Sequence, residues 1–292
     1  MLAYAKVNLT LEILQRRDDG LHALRSVMLP IALADTFSFE PSPHFTVSAD
    51  APERLTDDLV ARAARQAGCD SALINIRFTK NIPIGAGLGG GSSDAATVLR
   101  AAMAGTFGPA PNRDWLADAR ALGSDVPFFL TGGAALVEGT GERVTALGAL
   151  PAWWLVLLIP PVAVSTADAY SRLARSRASS PAATRARSTS ASLRALVAIQ
   201  RADYDEAIAA ASNDFEPIVR AAYPQVAAAL DALHNANAEH AMLSGSGSAC
   251  FALTRDETAA CALASRITLP ADTKMHVIPL APSPTWRAAT PA

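Results

Sequence analysis

The sequence predicts an α/β protein of two domains, residues 1–150 and 151–292. Three observations carry this. The 292 residues suffice for one large domain or two modest ones. In the first half, a strand-like run enters a glycine cluster and leaves it as an alanine-rich helix pattern, a β–loop–α succession. Near Pro151 the composition shifts, and a new apolar strand, "WWLVLLI", begins.

Residues Tyr4 to Ile13 alternate. Tyr4, Lys6, Asn8, Thr10 and Glu12 share one face; Ala5, Val7, Leu9, Leu11 and Ile13 share the other. This is the pattern of a half-buried strand, with Lys6 and Asn8 neighbours on its polar face. "RRDDGLH" follows as a turn with Asp19-Gly20 at its tip, and "LRSVMLPIAL" as a second strand. Asp57 to Ala67 reads as a helix, and "ALINIRFTK" as the strand entering the glycine cluster. "SSDAATVLRAAMAG" is a helix that opens on Ser and Asp, side chains that favour capping. "NRDWLADARALG" is a further helix, stopped by Gly123, and "SDVPFFLTGGAALVEGTGERV" reads as short strands with glycine turns. In the second half, Ser176 to Ser192 is rich in Ser, Ala and Arg, the composition of a mobile surface segment. Helices follow, from "ASLRALVAIQ" to "PQVAAALDALHNA", and "AMLSGSGSACFAL" sets a glycine–serine turn between two apolar runs.

Half of the residues are apolar, 18% are charged, and the net charge is −2, so nucleic-acid binding through a broad basic face is not suggested. Cys69, Cys250 and Cys261 form no CxxC pair and are odd in number, which fits a reducing cytoplasm and no disulfide framework. The opening "MLAYAKVNLTLEI" has Lys and Asn where a signal peptide needs an apolar block. The longest apolar run, "ALPAWWLVLLIPPVAV", is broken by prolines and too short to span a bilayer. A cytoplasmic protein without a membrane or nucleic-acid partner is expected, as a monomer or a homodimer.

Gly85, Gly87, Gly89, Gly90 and Gly91 fall within seven residues. Bare backbone leading into a helix N-terminus gathers N–H donors beside the positive end of the helix dipole, and phosphate is the natural guest. Ser92 and Ser93 add hydroxyl donors. The P-loop pattern GxxxxGK[ST] fails, because no Lys follows the glycines. The dinucleotide pattern matches as Gly85, Gly87 and Gly90, but no acidic residue closes a second strand about 20 residues on.

"PIGAGLGGGSSDAA" resembles the ATP-binding signature of the GHMP kinases, and its extended form resembles the branch whose alcohol substrate carries a cytidine diphosphate, in the non-mevalonate isoprenoid route. "AKVNLTLEI", "RRDDGLH", "LGSDVPFFL" and "LSGSGSACFAL" match further motifs of that branch in order, so the resemblance spans nearly the whole chain. It implies a ribosomal-protein-S5-domain-2-like N-terminal domain, a C-terminal α/β domain, and a cleft between them for ATP and substrate. It also implies Mg²⁺, which neutralises charge on the triphosphate; the sequence names no ligand for the metal.

Residue by residue, the resemblance implies a nucleotide loop of Pro83, Gly85, Ala86, Gly87, Leu88, Gly89, Gly90, Gly91, Ser92 and Ser93, with Asp58 and Lys80 nearby. Asp58 stands where the family usually has Asn. Asp125 falls at the catalytic aspartate, with Lys6 as its partner. Asn8 and Thr166 would bond the substrate, and Gly245, Ser246 and Gly247 would face its diphosphate or the moving phosphoryl group. His22 would read the cytosine and Tyr170 would stack on it. The family's Gly-Tyr-His turn is Gly20-Leu21-His22 here, so one aromatic face is missing, a loss of about 1–3 kcal/mol per stack. Two alternatives remain: a GHMP kinase for a sugar, homoserine or mevalonate-type alcohol, favoured by Leu21, and a non-catalytic ligand-binding relative, opposed by the presence of both Lys6 and Asp125.

Overall fold

The computed structural model describes residues 1–17, 20, 22–50, 59–69, 73–110, 112–179 and 190–281. Its first sheet is organised by one long strand. β3 (His22–Pro41, 20 residues) lies antiparallel to two successive strands, β1 (Leu2–Asn8) and β2 (Thr10–Arg16). On its other edge, β3 takes β5 (Ile74–Thr79) and β6 (Ala135–Gly139), both antiparallel. β4 (Thr46–Asp50) adds outside β5 in parallel, and β7 (Arg143–Ala146) outside β6. β9 (Ser212–Asn213), from the second half of the chain, adds parallel to β2. The sheet has eight strands.

The second sheet is antiparallel, in the order β10 (Met242–Leu243), β11 (Cys250–Thr254), β8 (Trp154–Ile159), β12 (Lys274–Pro279). The two sheets share a core, where Ala5, Val7 and Leu9 meet Leu155, Leu157 and Phe251. A second core joins α1 (Leu59–Gln66), α2 (Gly90–Met103), α3 (Trp115–Leu122) and α4 (Val126–Thr131) to the first sheet through Phe78, Leu99 and Phe128. A third packs α5 (Thr166–Ser179), α8 (Glu216–Ala222), α9 (Pro224–Asn235) and α10 (Glu257–Ala264) on the second sheet. α6 (Ala191–Arg201) and α7 (Tyr204–Ala210) complete the helices among the described residues.

Several elements differ from the sequence reading. "VPFFLT" is helix α4, not a strand. Its six residues are too few for a periodicity to show, and Pro127 is tolerated in a first helical turn, where an N–H is not required. α2 begins at Gly90, with Gly89 as its N-cap, so neither Ser nor Asp caps it. Of the Ser/Arg-rich stretch, residues 176–179 are the last turn of α5 and Ala191 opens α6; residues 180–189 lie outside the described residues.

The largest difference concerns the first strand. It breaks at Leu9 into β1 and β2, and its polar face is not exposed. Lys6, Asn8, Thr10 and Glu12 are all buried. Buried polar groups persist only when partnered, and each of these is. The Thr10 hydroxyl shares a 2.8 Å hydrogen bond with Ser192 and accepts one from Val27 N–H. Glu12 caps α6: its carboxylate accepts from Ser190 Oγ at 2.6 Å, Ala191 N–H at 3.2 Å and Ser192 N–H at 3.1 Å.

Burial would raise the pKa of Glu12, but the hydrogen bonds from Ser190, Ser192 and Ala191 outweigh it and hold the carboxyl below its ordinary value. A carboxyl lowered on folding contributes stability above its unfolded pKa and loses it as pH falls through the folded one. Glu12→Gln is therefore expected to cost about 1–3 kcal/mol at neutral pH. Urea unfolding at neutral pH and again below about pH 4 should show the gap between wild type and variant narrowing in acid.

Candidate active site

The glycine loop connects β5 to α2. Gly85, Gly87 and Gly89 have φ of 70°, 75° and 72°, the left-handed region that glycine enters freely. The loop is pinned at its centre. Gly87 O accepts from Lys6 Nζ at 2.8 Å and from Ser244 Oγ at 3.1 Å, and Leu88 O accepts from Lys6 N–H at 3.0 Å. No side chain caps the α2 N-terminus, so the helix's positive end faces the cleft with the glycine backbone around it.

The third glycine motif lies across from this loop. Asn213 Nδ2 fixes it by donating to Leu243 O and Gly245 O, each at 2.8 Å. The Ser246 and Thr166 hydroxyls are 2.9 Å apart, joining the motif to the first turn of α5. Between the loops lies a cleft of about 700 Å³, within the range of small-molecule sites. All the site residues expected from the sequence line it except Ser93, His22 and Asp58. Ser93 is buried, and its hydroxyl donates to Tyr4 O at 2.7 Å, tying α2 to β1. The expectation that Ser93 faces a ligand is thereby corrected: the step of one residue along the helix turns it by about 100° away from Ser92, which lines the cleft. Asp58 and Leu21 lie outside the described residues.

Lys6 and Asp125 meet in the cleft, with Lys6 Nζ 3.7 Å from Asp125 Oδ2. The lysine is 4% exposed and the aspartate 31%, so the carboxylate is the partner a ligand reaches. Asp125 stands at the N-cap of α4, yet its side chain makes no capping bond and is turned to the lysine. Burial lowers the Lys6 pKa; the charge of Asp125 acts in the opposite sense. Lys6 also donates to Asn8 Oδ1 at 2.7 Å, and Asn8 Nδ2 donates to Ser26 Oγ at 2.8 Å. The Asn8 amide is thus engaged on both sides and orients the lysine.

Tyr170 also lines the cleft, and the His22 ring stacks on it with centroids 5.1 Å apart, 25° from parallel. Tyr170 also meets Phe215 edge-on at 4.9 Å. Burial, and then the charge of Asp125, push the Tyr170 phenol up to about 12.

Sequence reasoning missed three contributors. Asn213 holds the third glycine motif, Phe215 braces Tyr170, and Asp94 was read as a cap residue although it pairs with Lys80 at 2.6 Å. Lys80 also contacts Asp35. Only Asp94 carried a signal in the sequence, as a charged residue at the head of a helix whose next residues are apolar.

Two family models match the chain: the GHMP kinases N terminal domain over residues 55–133 and the GHMP kinases C terminal over residues 195–269. A relative from Solibacter usitatus, named 4-diphosphocytidyl-2-C-methyl-D-erythritol kinase, is 42% identical over 88% of this chain and 81% of its own. The chain belongs to the GHMP kinase family. It is an ATP-dependent small-molecule kinase with a mixed α/β fold. A second relative of the same name, from Pelotomaculum thermopropionicum, is also 42% identical, over 91% of this chain and 92% of its own. The crystal structure of a 4-(cytidine 5'-diphospho)-2C-methyl-D-erythritol kinase superposes on this kinase with a TM-score of 0.73 at 32% identity, covering 96% of this chain and 99% of that one. The mevalonate kinase of L. major, in complex with R-mevalonate, superposes at 0.69 with 14% identity, covering 96% of this chain and 95% of that one, and shows the shared fold. Among the described residues no helix is long and apolar enough to cross a membrane.

Proposed function

We propose that this kinase transfers the γ-phosphoryl group of ATP to a hydroxyl on the methylerythritol part of 4-diphosphocytidyl-2-C-methyl-D-erythritol. The observation that carries the reading is that one cleft joins the aromatic face of Tyr170, against which His22 stacks, to a lysine–carboxylate pair beside a phosphate-type loop. An aromatic face suits a nucleobase. Relatives 42% identical to this chain carry the corresponding name.

In this reading the loop amides and the α2 N-terminus hold the triphosphate. Asp125, beside Lys6, orients the substrate hydroxyl and accepts its proton as the oxygen attacks the γ-phosphorus. The new O–P bond forms while the bond to the β-phosphate oxygen breaks, and ADP leaves. Lys6 offsets the charge that develops on the moving group. Gly245, Ser246, Gly247 and Thr166 face the substrate diphosphate. Magnesium, when bound, neutralises β/γ charge. Among the described residues no group of three or more His, Cys, Asp or Glu is placed to hold a metal. The free cysteines Cys69, Cys250 and Cys261 suit a cytoplasmic location.

The test compares initial rates on the cytidyl substrate, mevalonate and homoserine at equal ATP. A kcat/KM at least about a hundredfold higher for the cytidyl substrate is expected, since stacking on Tyr170 and the diphosphate contacts add to its binding. Equal or higher values for either other alcohol would replace this reading with that of another GHMP kinase.

A further inference from the structure

The cleft contains a charged cluster that the phosphoryl-transfer chemistry does not use. Lys80, at the end of β5, lies between two carboxylates, Asp35 on β3 and Asp94 on α2. All three are buried: side-chain exposure is 5% for Lys80, 0% for Asp35 and 4% for Asp94. Asp35 Oδ1 accepts from Asn81 N–H at 2.6 Å and Ile82 N–H at 2.8 Å, while Asp35 Oδ2 and Asp94 Oδ2 accept from Lys80. Asp94 Oδ1 is buried with no partner. Two carboxylates face one ammonium, so the ionised cluster encloses one uncompensated negative charge, which is costly away from water.

This charge lies against the anion-binding end of α2. A Cβ built on Gly90, the first residue of α2, would lie 3.3 Å from Lys80 Nζ, and Lys80 and Asp94 both line the cleft beside Gly90 and Gly91. A bound triphosphate brings several more negative charges to the same place. We propose that the Asp35–Lys80–Asp94 cluster is a proton-linked counter-charge: binding of an anionic nucleotide to the adjoining loop draws one proton from solvent onto Asp94 Oδ1. Asp94 and Asp35 are then positioning residues that keep Lys80 at the nucleotide site while their own charge adjusts to the ligand.

The surroundings support this. Desolvation, then the Asp35 charge and hydrogen bonding with Asp35, act against Lys80 to push the Asp94 carboxyl up to about 7 in the ligand-free kinase. The other charged groups are engaged elsewhere. On β1, Lys6 is held by Asp125, Asn8 and Gly87. Further along α2, Arg100 donates to Phe129 O and Thr97 Oγ1. α1 turns Leu59 and Val60 to the cleft and carries Arg62 and Arg65 on its exposed side. An approaching anion raises a carboxyl pKa, so the sign is proton uptake on binding and weaker binding as pH rises.

Calorimetric titration of ADP without magnesium, at about pH 7.5 in buffers of different ionisation enthalpy, counts the protons exchanged on binding. Asp94→Asn keeps an acceptor for Lys80 and cannot titrate, and the phosphate groups of ADP contribute equally to both proteins. Wild type should take up more protons than the variant. Between about pH 6.5 and 8.5 its affinity should weaken by up to about tenfold relative to Asp94→Asn, the effect of a one-unit shift. Equal proton counts, or greater uptake by the variant, would overturn the proposal. Should Asp94→Asn not fold, the infrared difference spectrum of wild type with and without ADP decides: a carboxylic-acid C=O band that grows on binding supports the proposal, and none overturns it. Only the nucleotide is needed, so failure here leaves the reading of the alcohol substrate untouched.

Discussion

Asp125→Asn should lower kcat by about 10²–10⁴-fold, the usual scale for losing a general base, while ATP affinity changes by less than about threefold. The substitution keeps size and hydrogen bonding but removes the charge that faces Lys6 at 3.7 Å. Because the Asp125 side chain caps nothing, helix α4 should be unaffected, but Lys6 stays buried without the charge that opposes its desolvation, so the melting temperature should fall. Lys6→Met should abolish turnover as well, but for two reasons. It removes the cation of the pair, and it leaves Asn8 Oδ1 without the Lys6 donor and Gly87 O with Ser244 Oγ in place of two donors. A buried acceptor left without a partner costs about 1–3 kcal/mol, so this variant should also melt earlier. Steady-state kinetics with a fluorescent-nucleotide titration separates the effects. Weak ATP binding with an unchanged maximal rate in Asp125→Asn would remove this residue from the chemistry.

Gly87→Ala should have the second largest effect, and it acts on binding. The residue has φ of +75°, and a Cβ there would lie 2.2 Å from Ser244 O and about as close as 3.0 Å to Gly247 N, both backbone atoms with no rotamer to move. The left-handed backbone alone costs about 1–2 kcal/mol with a side chain; the collision additionally forces the two glycine loops apart. ATP affinity should fall by more than about tenfold, as if a contact of 1.4 kcal/mol or more were lost. Gly68→Ala is the control, with the same φ of +75° and nothing within 4 Å of the added carbon. It should show the backbone cost as a lower melting temperature and leave ATP binding intact. If both variants bind ATP equally well, close contact between the loops is not what makes Gly87 necessary.

What the sequence made legible, and what it hid, follows from where partners lie along the chain. The glycine loop was legible because its residues are contiguous and their chemistry is that of backbone. Lys6 and Asp125 were paired by motif resemblance, and they do meet in the cleft. The Lys80 cluster was hidden because its carboxylates are 14 and 45 residues from the lysine, and pattern reading joins only near neighbours. The polar face of the first strand was legible as a face, but not as a buried one, because the groups that enclose Glu12 come from as far as 180 residues away. α4 was hidden for a different reason: a run of six mostly apolar residues satisfies a strand or a helix equally, and only packing of Phe128 and Phe129 in the core decides.

A stretch with five glycines, free in solution, would sample many shapes, and a ligand would have to select one of them at each encounter. Here the Gly87 carbonyl is clasped from both sides, by Lys6 from one strand and Ser244 from the opposite loop. The cradle therefore acquires its form once, when the chain folds, and every later turnover inherits it. Nucleotide affinity in this kinase is then coupled to the global stability of the protein: a change that loosens the second sheet, far from any phosphate, would be felt as weaker capture of ATP.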